Sequence, residues 1–186
     1  MRNTIRMRLL SLMVLWVSVA VAADEVDKYF FGFLRNAPGR ATLPKEEMVE
    51  LQKAHLAHLN AMAEKGALVA AGPLRNGGER RGVIIYKTAT LEQALGMANA
   101  DPIVNRGQLV VELEPWVGPK GIGEEYKRMQ RESGGKMQDK MVRLWVLHTP
   151  AEGWKIHREK PAALAEGATV YEWFCAEGTL PPPANE

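Results

Sequence analysis

The chain has 186 residues, enough for one cored domain with an appendage, and 46% hydrophobic against 25% charged residues is a globular rather than a disordered balance. The formal net charge of +2 leans on Arg2, Arg6 and Arg8; the first 22 residues hold these three arginines and no acid, so the chain without them carries −1. No basic stripe remains to argue for nucleic acid, and Cys175, the only cysteine, excludes an internal disulfide.

The three arginines precede an apolar run from Leu9 to Val21, which ends in the small-x-small triplet Ala20-Val21-Ala22. This is the pattern of a secretory signal peptide over residues 1–22, with an apolar run short of the ~20 residues of a membrane span. The expected protein is therefore exported, periplasmic or extracellular, with no stable membrane anchor once the peptide is removed.

Tyr29 to Leu34, YFFGFL, is apolar throughout and suits a strand buried on both faces. Asn36 to Pro44, with two prolines and a glycine, reads as a loop. Lys45 to Lys65 then carries helical periodicity. At roughly 100° per residue, Met48, Gln52, His55, Leu59 and Met62 share one stripe, and Glu50, Lys53, Asn60 and Glu64 face away. Gly66 stands where a left-handed residue ends a helix. The stripe thus places His55 in the middle of an apolar face, Gln52 one turn before it and His58 at its edge.

Ala67 to Ala71 and Gly82 to Lys87 read as two strands of a hairpin around Asn76-Gly77-Gly78. Thr90 and Gln93 have the spacing of a capping box for a second helix ending near Asn99. Asp101-Pro102 follows, with Asp101 suited to cap a short turn from Pro102 to Asn105 closed by Gly107. Gln108 to Pro115 is the fourth strand.

The order β-α-β-β-α-β is the split unit of α+β, ferredoxin-like folds, with both helices on one face of a four-stranded antiparallel sheet. YFFGFL and GVIIY alternate poorly between apolar and polar, so the other face must also be covered. Pairing with a second copy is the simplest cover, which makes the expectation a homodimeric α+β barrel.

Residues 28–118 form this domain. Residues 119–139, rich in glycine and charge, read as a linker with a helical turn at Glu124 to Arg131. Residues 140–178 read as a C-terminal β extension holding two strands, Lys140 to Thr149 and Ala168 to Ala176, and 179–186 as a flexible tail. Faint echoes link MVRLWVLHTPAEGW to YFFGFLRNAPGR and LAEGATVYE to MAEKGALVA, of the kind that short strand patterns produce by chance. Tyr171, Trp173 and Phe174 around Cys175 point to a buried structural thiol rather than a nucleophile.

The segments AHLAHLNAMAEKGALVAAGP, RGVIIYKTATLEQALGMANADPIVNRG and LVVELEPWVGPKGI together resemble the YCII-related (YciI-like) proteins over about Tyr29 to Ile122. The resemblance implies a ferredoxin-like dimeric α+β barrel. It also implies a site made by a helix histidine, here His55, and the aspartate of the Asp-Pro turn, here Asp101. Many relatives carry an arginine three residues before that histidine; this chain has Gln52 there, which weakens the case for an anion held at that position.

A His–Asp pair suits acid–base chemistry, with His55 moving the proton and Asp101 orienting the ring; Gln52 and His58 are candidates to line the substrate pocket. The substrate class is a small cyclic or aromatic molecule. The plainer readings are a hydrogen-bonded core histidine and a helix-capping aspartate. His55 and His58 at i, i+3 lack an acidic or cysteine ligand nearby in sequence, and no phosphate-binding glycine loop is present, so neither metal nor cofactor is expected. The alternative function is a non-catalytic barrel that binds a small ligand or a protein partner through its C-terminal extension.

Overall fold

The computed structural model describes residues 25–135 and 140–183. The signal peptide expected over residues 1–22, the last four residues of the expected linker and the end of the tail lie outside the described residues.

The chain alternates β1 (Val26–Asn36), α1 (Lys45–Glu64), β2 (Leu68–Arg75), β3 (Arg80–Tyr86), α2 (Leu91–Asn99), α3 (Pro102–Asn105) and β4 (Leu109–Pro119). It continues through α4 (Glu124–Glu132), β5 (Met141–Thr149), β6 (Gly153–His157) and β7 (Thr169–Ala176). The seven strands form one antiparallel sheet in the order β4-β1-β3-β2-β7-β5-β6. The sheet curls until its two edges, β4 and β6, nearly meet. They do not pair as strands. The Trp116 indole N–H donates to the Trp154 carbonyl across the gap at 2.7 Å.

Two cores follow from the two faces. Tyr29, Phe31 and Phe33 of β1 and Val83 and Ile85 of β3 point inside the curl, against Leu144, Val146, Trp173 and Cys175. Leu34, Ile84 and Tyr86 point outward, against Met62 of α1 and Ala94 and Ala98 of α2. Consecutive residues of β1 and β3 are therefore buried on opposite sides, which is why neither strand alternates in polarity.

The cover expected from a second copy comes from within the chain, because β5, β6 and β7 occupy that face. The extension both lengthens the sheet and folds over it. Its attachment to β2 is short, pairing Leu74 with Trp173 and Arg75 with Glu172. Gly72 makes this approach possible, since a Cβ there would run into the Phe174 carbonyl and the Trp173 indole. Glu172, almost buried at the junction, lies 3.2 Å from Arg143 and 3.8 Å from Arg75.

Three local readings change. Gly153–His157 is a strand that the sequence does not announce: it is five residues long, yet Trp154 and Ile156 both pack on the inner core. The linker is built into the body, with Ile122 in that core and Gly123, in left-handed backbone, donating its N–H to Thr179. The start of the tail is pinned rather than loose, because Thr179 and Leu180 are buried and Arg158 holds the Pro181 carbonyl.

Cys175 is fully buried, and burial pushes its thiol up to about 11. It should resist a thiol reagent at pH 8 in the folded protein and release one equivalent on unfolding in guanidinium; reaction in the native state at the unfolded rate would contradict this packing. A chain ending at residue 135 should expose the inner face of β1 and β3 and bind a hydrophobic dye or aggregate, as measured by fluorescence and light scattering.

Candidate active site

His55 projects from the middle of α1 and is 7% exposed. Asp101 sits in the bend between α2 and α3 and is 2% exposed. The two meet, with His55 Nδ1 2.6 Å from Asp101 Oδ2. A carboxylate only accepts, so the Nδ1–H donates and the neutral ring keeps its lone pair on Nε2. That second nitrogen has no hydrogen bond among the described residues, and it is not among the sealed, unpartnered polar atoms. Nε2 is thus left without a protein partner while Nδ1 is held by the aspartate.

The bend explains how the aspartate is held. Asp101 Oδ1 accepts from the Ile103 backbone N–H at 3.0 Å, capping α3, and Pro102 opens that helix with its φ already suited to it. Gly107, with φ +70°, closes the turn. Asp101 makes both contacts at once: one oxygen caps the turn and the other holds the histidine. Ile103 is buried against the helix-side core, so the cap is also packed from behind.

The remaining sequence candidates separate. Gln52 is exposed, not buried beside His55. The buried side of α1 runs instead through the partly buried Leu51 and Leu59 to His55 and Met62, and the apolar Leu51 takes the inward position beside Gln52. His58 is partly buried and its Nε2–H donates to the Met97 carbonyl at 3.0 Å, which ties α1 to the end of α2. Its role is to join two helices. Among the described residues, no three His, Cys, Asp or Glu side chains converge as metal ligands.

One neighbour escaped the sequence reading. Tyr86, at the end of β3, is buried, and burial followed by the nearby charge of Asp101 holds its hydroxyl well above the usual tyrosine range. The phenol therefore stays protonated beside the aspartate. Its signal in the sequence was parity: Ile84 and Tyr86 both fall on the helix side of β3.

A curled antiparallel sheet with helices on its outer face, and a histidine–aspartate pair held between α1 and the α2–α3 bend, define an α+β protein with a single buried acid–base pair. Residues 31–117 match the family model of the YCII-related domain, which supports a YciI-like protein over that span. No curated protein matches the chain. The match ends within β4, so β5, β6 and β7 lie beyond it.

The two duties of Asp101 can be separated. Asp101→Asn keeps an oxygen able to cap α3, whereas Asp101→Ala loses both the cap and the partner of His55. The alanine variant should lose about 1 kcal/mol more stability than the asparagine variant in urea unfolding, the usual worth of a cap. Both variants should lose the downfield Nδ1–H resonance of His55 in proton NMR.

Proposed function

We propose that this chain is an exported YciI-like protein that performs cofactor-free acid–base chemistry on a small cyclic or aromatic molecule. The observation that carries the reading is the 2.6 Å contact between His55 Nδ1 and Asp101 Oδ2, with Nε2 left open. The order β4-β1-β3-β2 of the first four strands, with α1 and α2 on one face, supports a ferredoxin-like unit. The basic and apolar residues 1–22 support export.

In this reading His55 is the group that touches substrate. Its Nε2 lone pair takes a proton from a carbon next to a carbonyl, and the ring becomes an imidazolium. Asp101 stabilises that cation through Nδ1 and prevents the ring from turning. Returning the proton to a different carbon completes an isomerisation; loss of a leaving group from the neighbouring carbon completes an elimination. Asp101 acts through the histidine and is a positioning residue. Tyr86, kept neutral, adds no competing charge.

Proton exchange tests this without knowledge of the natural substrate. A panel of cyclic ketones and γ-lactones incubated in D2O should show enzyme-dependent deuterium uptake at the carbon beside the carbonyl, followed by NMR. His55→Ala should lower the rate about 100-fold or more, the usual worth of a positioned base. Asp101→Asn should lower it less and shift its pH profile. Folded His55→Ala protein that exchanges at the wild-type rate would remove His55 from the chemistry.

The homodimer expected from the sequence rested on an uncovered sheet face. We infer a one-chain barrel, because β5, β6 and β7 fill that face. Sedimentation of the mature chain should give the monomer mass, and a dimer at micromolar concentration would require association through another surface. The same cover makes room for the second reading, a ligand-binding barrel, since it encloses a cleft that the domain alone would not have.

A further inference from the structure

Inside the curl, away from His55 and Asp101, lies a cleft of about 400 Å³. Its walls are Phe31 and Phe33 of β1, Glu112 and Glu114 of β4, His148 of β5 and Trp154 of β6. Arg80 and Thr169 complete it. It falls within the size range of small-molecule sites. It also sits where the sheet edges β4 and β6 fail to pair, so it opens through the gap in the wall.

Arg80 is the feature that assigns a ligand. Its guanidinium lies 4.4 Å from the Phe33 ring centre and 5.5 Å from those of Trp154 and Tyr171. Nη1 donates to the Tyr171 hydroxyl at 2.6 Å. The aromatic box is therefore already filled by a cation that belongs to the chain, and it has no vacancy for a cationic guest. Glu112 gives one oxygen to Arg35 at 2.7 Å, and its other oxygen makes only a long ion pair with Arg80 Nε, at 3.9 Å and without a hydrogen bond. Arg80 thus keeps most of its five N–H donors unspent, held in place by rings and a hydroxyl. Such a fork is shaped for a carboxylate.

The other polar groups limit the choice. The His148 ring lies 4.6 Å from the Trp154 ring. Glu114 is exposed on the β4 wall, so the cleft does not favour a dianion. We propose that this cleft binds a small monocarboxylate with a flat aromatic or cyclic body, its carboxylate on Arg80 and its ring against Trp154. The site is separate from the His55 pair and stands whether or not that pair is catalytic.

Benzoate is the probe, and benzylammonium its cationic counterpart. Titration of the mature protein with benzoate should move the Trp154 indole resonance, assigned with Trp154→Phe, to a saturating limit. Arg80→Gln should weaken this binding about tenfold or more, as expected for losing a charged hydrogen-bonding partner. Thr169→Trp, at an exposed position, should fill the mouth and abolish saturation while leaving Arg80 in place. Benzylammonium should produce no saturable shift, and His55→Ala should bind benzoate as wild type does. The proposal is overturned if wild type shows no saturable benzoate shift, if benzylammonium binds as well, or if folded Thr169→Trp binds unchanged. Should Arg80→Gln fail to fold, the Thr169→Trp and benzylammonium results decide.

Discussion

The physical constraint behind this molecule is that one strand, β1, is apolar on both faces. Phe31 and Phe33 look one way and Leu34 the other, and neither side tolerates water. At about 25 cal/mol per Å² of buried apolar surface, leaving either face open would forfeit several kcal/mol per aromatic pair. The helices serve one side. The other is served by strands that follow the YCII-related domain in the same chain. The curl of the sheet, the central position of Trp173, the packing of Ile122 and the pinning of Leu180 are all consequences of that second cover.

The Asp101 bend shows how a small number of residues can carry two duties. Capping requires a short side chain with an acceptor oxygen before Pro102. Holding an imidazole requires a second acceptor on the same side chain. Asp is the shortest residue that offers both, and the two oxygens divide the work. The position of the histidine's partner is thereby set by backbone geometry rather than by a free rotamer. Such rigidity keeps the imidazole ring in one orientation.

Much of the domain was legible because its signals are local. The capping box at Thr90, the Asp-Pro turn and the glycine at the end of α1 each name a boundary within a few residues. The pairing of His55 with Asp101 came from a family resemblance, since nothing local links residues 46 positions apart. Gln52 was misplaced because a helix stripe is wider than one residue, and Leu51 on its other flank takes the inward place. The strand Gly153–His157 was missed because five residues give too little alternation to read. The cleft around Arg80 could not be foreseen at all: its walls come from β1, β3, β4, β5, β6 and β7, and only the path of the last three brings them together.

The stitch between Trp116 and Trp154 has its own implication. Elsewhere adjoining strands share backbone pairing, if only over two residues between β2 and β7, but β4 and β6 face each other across one indole hydrogen bond. A ladder shares its load over many rungs, whereas one rung breaks in a single event. The wall should breathe there first, by a local parting of β6 from β4; a wider swing of the β5–β6 hairpin would pull Trp154 off Phe31 and Phe33 of β1. That breathing gives small molecules a door to the interior at little cost to the fold as a whole.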